Sequence, residues 1–229
     1  MTGADLSNLV NLAMLNAVKR GSPTCSAQDI DIAKDRILMG VERKSLAMTQ
    51  EDKMNTAIHE VGHALTAVLT EGAEPLHKMT ILPRGQALGM TVLLPERDEL
   101  LSTKKQLMAR IDVAMGGRAA EEVFFGRSKV TTGCSSDLDG ATKIAYYMVK
   151  GGMFGETTGV LSTNDIENEG VEQRDQIDHI VKNLLSESYK RVYEMVRENK
   201  HVVKKLAKEL ANKETLSRDE FMEVLEGEF

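Results

Sequence analysis

The amino-acid sequence predicts a mainly α-helical chain with one small β-sheet. Three observations lead there. Apolar residues recur at helical spacing along most of the 229 residues. The 41% hydrophobic content comes with 4% aromatics, 13 Met and no Trp, which suits an aliphatic core between helices. Only between about Lys78 and Leu94 does the pattern turn extended.

The first amphipathic run carries Leu6, Leu9, Val10, Ala13, Met14 and Ala17, and Gly21-Ser22-Pro23 ends it. Ser26 caps a second helix with Asp29 at its third position and Ile30, Ala33, Ile37 and Leu38 on one face. Two helices cannot bury their apolar faces alone, so this pair reads as the tail of a preceding domain or a small subdomain. Gly40 to Thr49 reads as a linker. A third helix spans Gln50 to Leu69, with Thr49 as N-cap, Glu51 and Asp52 in the first turn, and Gly72 as its stop. Lys78–Leu82 and Gly89–Leu94 read as two strands joined through Pro83-Arg84-Gly85. Helices resume from about Thr103 to Phe125, interrupted or bent near Gly116-Gly117, and from about Leu138 to Lys150. Gly151 to Asn168 reads as a loop. Helices follow from about Glu172 to Glu198 and from Lys200 to Ala211, and the capping box Ser217-Arg218-Asp219-Glu220 opens a last one.

Bulk properties narrow the function classes. Net charge is −6, which argues against nucleic acid as a partner. No apolar run of membrane-spanning length and no signal peptide are visible. Cys25 and Cys134 form neither a disulfide framework nor a C-x-x-C pair.

The chemistry concentrates in His59-Glu60-Val61-Gly62-His63, inside the third helix. Positions i and i+4 share a helix face, so the two imidazoles can bind one metal ion. Glu60 is badly placed to be a ligand on that face and suits a general base acting on a water at an open metal position. The pattern is that of a zinc-dependent hydrolase. Gly62 costs helix stability, and its small size lets another backbone or a substrate come close.

A catalytic zinc needs a third protein ligand. The H-x-x-G-x-x-H extension fails, because Thr66 and Leu69 stand at its fixed positions. The residues alone leave His77, Glu71, Glu74, Asp112, Glu121, Glu122, Asp137 and Asp139 open. Asp137 lies in a polar loop running into a helix, and that loop can aim a carboxylate at a metal or merely let Asp137 cap the helix. An extended substrate needs a strand edge, and Met79, Thr80, Ile81 and Leu82 or Gly89–Leu93 could supply one by β-augmentation, unless the two strands only pair with each other.

In this order, H-E-V-G-H, I-L-P-R-G, M-G-G-R-A-A-E-E, T-T-G-C-S-S-D-L-D-G-A-T and K-E-T-L closely resemble the M41-type peptidase domain of the FtsH family of membrane-anchored AAA proteases. L-P-R-G-Q-A-L-G-M-T-V-L-L-P-E and T-T-G-C-S-S-D are most similar to the mitochondrial i-AAA, YME-type branch. The likeness covers roughly residues 40 to 229. Residues before that resemble the end of an AAA ATPase small helical subdomain, so the expected division is 1–42 and 43–229. The ATP-binding loop is missing, so ATP would act only in a module outside this sequence.

The resemblance implies one Zn2+ held by His59, His63 and Asp137, with Glu60 as the base and Glu121 orienting a zinc-bound imidazole. The plain alternative for Glu121 is an ordinary helix acid. Cys134, where the family more often has Ala, and Gly151-Gly152-Met153-Phe154 depart from the pattern. The implied function is a zinc endopeptidase that degrades unfolded or membrane-associated polypeptides for quality control. It would work as a homo-hexamer anchored in the mitochondrial inner membrane, or in a bacterial or plastid membrane, through a segment outside this soluble fragment. The alternative is a catalytically inactive scaffold ring, against which the intact Glu60 speaks.

Overall fold

The computed structural model describes residues 2–43, 47–85, 87–95, 101–154 and 171–227. They form two compact units, Met1–Ala47 with Leu82–Met90, and Met48–Ile81 with Thr91–Phe229.

In the first unit, α1 (Gly3–Lys19) and α2 (Ala27–Met39) each open with a capping box, Thr2 with Asp5 and Ser26 with Asp29. Small side chains make their contact: Ala13, Ala17 and Ala33 are buried, whereas Leu6, Val10 and Met14 of the expected apolar stripe are exposed. Arg20 Nη2 donates to Asp29 Oδ2 at 2.6 Å. That bond, with those from Ser26, holds the Asp29 carboxyl down to about 2. The start of the expected linker is tied rather than loose. The Arg43 amide donates to Pro83 O at 2.8 Å, and Arg84 Nη1 donates to Gly40 O at 2.9 Å. Residues 44–46 lie outside the described residues.

The second unit holds α3 (Gln50–Leu69), β1 (Leu76–Thr80), α4 (Lys104–Phe125), α5 (Ser135–Lys150), α6 (Val171–Glu198), α7 (Lys200–Lys213), β3 (Thr215–Ser217) and α8 (Arg218–Glu226). The strand β2 (Met90–Leu93) enters it at Thr91. The core is aliphatic as composition suggests: Val61, Leu65, Ile111, Met148, Leu206 and Leu210 are sealed from solvent, with Phe221 as an aromatic member.

The helix α4 is not interrupted at Gly116-Gly117. The glycines serve a crossing instead. A Cβ on Gly62 would lie 2.4 Å from Gly116 O, and one on Gly116 would lie 2.5 Å from Gly62 O. The α3 and α4 backbones therefore touch where neither has a side chain.

The sheet runs β2-β1-β3. The unexpected β3 is three residues long and pairs antiparallel with β1, Met79 opposite Leu216 and Thr80 opposite Thr215. The Ile81 amide continues the ladder to Glu214 O at 3.0 Å. Met79 and Thr80 of the expected substrate edge therefore lie in the middle strand, and Ile81 and Leu82 follow its end. The edge strands of this sheet are β2 and β3.

The helix α5 starts at Ser135, three residues earlier than expected, so Asp137 sits in its first turn and not in a loop or at the N-cap. Of the loop expected at Gly151–Asn168, residues 155–168 lie outside the described residues. Among the described residues no helix is long and apolar enough to cross a membrane.

Candidate metal centre

Thr49 starts α3 with a capping box to Asp52, and the helix carries His59, Glu60 and His63 on consecutive turns. Each imidazole is oriented through its Nδ1. His59 Nδ1 lies 2.7 Å from Glu121 Oε1, and His63 Nδ1 lies 2.7 Å from Val113 O. A carbonyl and an ionised carboxylate can only accept, so both Nδ1 atoms donate and both Nε2 atoms present lone pairs.

Those Nε2 atoms are 3.1 Å apart. Asp137 Oδ2 stands 3.3 Å from the first and 3.4 Å from the second, is buried, and has no proper hydrogen bond. With both rings neutral, three acceptors thus face one another, an arrangement that repels itself unless a proton or a metal cation sits among them. Donor atoms about 2.0–2.1 Å from one tetrahedral zinc stand about 3.3–3.4 Å from each other, which matches this spacing. Among the described residues, His59, His63 and Asp137 are the group able to hold a metal ion.

The electrostatics demand positive charge here. Burial opposes protonation of His59, but the Asp137 and Glu121 carboxylates outweigh it and lift its pKa to about 10. Burial raises Asp137, yet the two imidazoles hold it well below the usual carboxylate range. Glu121 behaves alike: burial pushes it up, and His59 with Thr131 brings it lower than an ordinary Glu. Glu60 goes the other way. Its burial raises the pKa more than His63, His59 and Thr91 lower it.

The remaining third-ligand candidates are engaged elsewhere. Glu74 pairs with Arg110 and Glu71 with Lys105. Asp112 accepts from Ser188 and Arg191, and Glu122 from Tyr189 and Arg127. His77 lies in β1, and Asp139 is exposed on α5.

Sequence reasoning missed several contributors. A Cβ on Gly117 would sit 2.5 Å from His63 Nε2 and 2.6 Å from His59 Nε2, so this glycine keeps the centre open. The Gly116-Gly117 pair is the signal the sequence offers for it, and it marks close approach rather than an interruption of the helix. Thr131 donates to Glu121 through its amide at 2.6 Å and its hydroxyl at 3.1 Å, which fixes the carboxylate that orients His59. Thr91 Oγ1 donates to Glu60 Oε2 at 2.7 Å. Nothing in the sequence pairs Thr91 with Glu60. Val113 contributes only its backbone, which leaves no signal in side-chain identity.

Residues 46–224 match Peptidase family M41. The chain is 44% identical over 223 residues to the ATP-dependent zinc metalloprotease FTSH 11, chloroplastic/mitochondrial, of Arabidopsis thaliana, covering 97% of this chain and 27% of that protein. It is 43% identical over 231 residues to the ATP-dependent zinc metalloprotease FtsH of Neorickettsia risticii, covering 99% and 36%. To the human ATP-dependent zinc metalloprotease YME1L1 it is 43% identical over 226 residues, covering 99% and 29%. The chain thus spans about a quarter to a third of the length of these curated relatives. With the family match running through the helix of His59 and His63 and the first turn of α5 alike, the chain belongs to peptidase family M41.

Proposed function

We propose that this chain is the proteolytic part of an ATP-dependent zinc endopeptidase that cleaves unfolded polypeptides. The observation that carries the reading is the convergence of two imidazole Nε2 atoms and the Asp137 carboxylate beside the buried Glu60. His59, His63 and Asp137 would hold one zinc ion, with Glu121 fixing the ring of His59. When bound, zinc lowers the pKa of water to about 7 and polarises a carbonyl. Glu60 takes the proton of the attacking water as its oxygen bonds to the scissile carbonyl carbon. It returns that proton to the amine nitrogen as the C–N bond breaks. β2 is an edge strand to which an extended substrate would add as a further strand, and Thr91 on it reaches Glu60.

The relatives' names join ATP dependence to zinc proteolysis, and the ATPase would lie in the part of the protein outside this chain. A homo-hexameric ring and a membrane anchor outside this chain complete the proposal. The membrane is the mitochondrial inner membrane, with a plastid or bacterial membrane as the alternatives.

Cleavage of unfolded casein by the zinc-loaded full-length protein tests the reading. Wild type should cleave, chelator should stop it, and Glu60→Gln should lower kcat by about 10²–10⁴ while keeping zinc. Wild type that binds one zinc per chain yet leaves casein intact overturns the proposal.

A further inference from the structure

A general base works only if its carboxylate is held in one orientation, and the terminal torsion of Glu is broad and nearly two-fold. Glu60 is 6% exposed, so bulk water is not there to steady it. The donor that reaches it is on another element. Thr91 Oγ1 lies 2.7 Å from Glu60 Oε2 and 3.1 Å from the Glu60 main-chain oxygen. Its single hydrogen goes to the closer, charged oxygen. Thr91 itself is a stiff support. It is β-branched and so restricted at χ1, and its strand pairs with β1 while the Leu94 amide donates to Pro75 O at 3.0 Å.

We propose that Thr91 is a positioning residue for Glu60, its hydroxyl fixing the carboxylate of the base from an edge strand of the sheet. The inference rests on the proteolytic reading above for its consequence, and on the Thr91–Glu60 geometry for its substance. Engaging one oxygen leaves the other to meet the attacking water, so a peptide that adds to β2 meets a base already oriented from that strand. The Thr91 hydroxyl meets the main-chain oxygen and the carboxylate of Glu60, and Thr91 acts through that residue.

The test compares Thr91→Val, which keeps the shape but loses the hydroxyl, with Thr91→Ser, which keeps the hydroxyl. Casein cleavage by the zinc-loaded full-length protein should show kcat lowered about 10- to 100-fold in Thr91→Val with KM unchanged. Thr91→Ser should recover most of the rate. In a Glu60→Gln background Thr91→Val should cause no further loss, because the hydroxyl has no base left to position. Zinc per chain should equal that of wild type in every variant. A raised KM with unchanged kcat, or the same loss in both backgrounds, overturns the inference in favour of a role in strand shape alone. A crystal structure of zinc-loaded Thr91→Val decides it without turnover. A rotated Glu60 carboxylate supports the inference, and an unmoved one overturns it. Inert wild type would remove the proteolytic reading and leave this structural arm to judge Thr91.

Discussion

Each imidazole of the His59 and His63 pair is committed at one nitrogen before any ion arrives, through Glu121 on one side and Val113 O on the other. The two free nitrogens and Asp137 then define a hole for positive charge. Without metal, a proton on His59 fills it, which is why its pKa rises to about 10. The sign follows directly. A raised folded-state pKa stabilises metal-free protein fully below the ordinary value near 6.5, and that contribution is lost as pH climbs from there to about 10. Zinc needs the neutral ring, so its affinity should rise over the same window, and binding at pH 8 should release about one proton. Calorimetry in two buffers of different ionisation enthalpy measures this, and zinc uptake with no proton release would contradict it. Gly117→Ala places a methyl group against the Nε2 atoms of His59 and His63 and should abolish zinc binding in a protein that still folds, read as metal per chain beside circular dichroism. His59, Glu60 and His63 were legible because their spacing is local to one helix. Asp137 was not legible from physics alone, since its approach depends on how α5 packs against α4, and only the resemblance singled it out. Thr91 left no trace, because a threonine in a strand looks the same whether or not it touches a base.

At the scale of elements, the α3–α4 crossing sets the precision of the centre. Gly62→Ala would gain about 1 kcal/mol of helix propensity but drive a methyl group to 2.4 Å from a backbone oxygen that cannot rotate away. The clash should win, with a net loss of about 1–3 kcal/mol, a fall of several degrees in thermal midpoint and weaker zinc binding. A midpoint that rises would show the backbones are not in contact. Helix boundaries with capping boxes were the easiest part of the sequence: Thr49 and Ser26 start α3 and α2 where their side chains indicate. The early start of α5 was hidden by Gly133 and two serines, and β3 by its brevity and by Ser217, which ends the strand and caps α8 at once. In the first unit, the Arg20 and Ser26 bonds hold Asp29 down to about 2. A depressed carboxyl stabilises above its ordinary value and loses that contribution as pH falls toward 2, so acid unfolding of α1 and α2 should begin at higher pH in Arg20→Gln. Coincident acid titrations of the helical signal in wild type and variant would refute the clamp.

For the molecule as a whole, fold class was the most legible feature, because long helical periodicity and a short extended stretch survive any packing detail. Function rests on less: five histidines, two of which share one helix face. On the proposed reading, His59, His63 and Asp137 hold one zinc ion beside Glu60. Zinc per chain in purified wild type, Asp137→Asn and Glu121→Gln tests it most directly. One zinc in wild type, almost none in Asp137→Asn and an affinity lowered about 10- to 100-fold in Glu121→Gln is the predicted outcome. Full zinc in folded Asp137→Asn would contradict it.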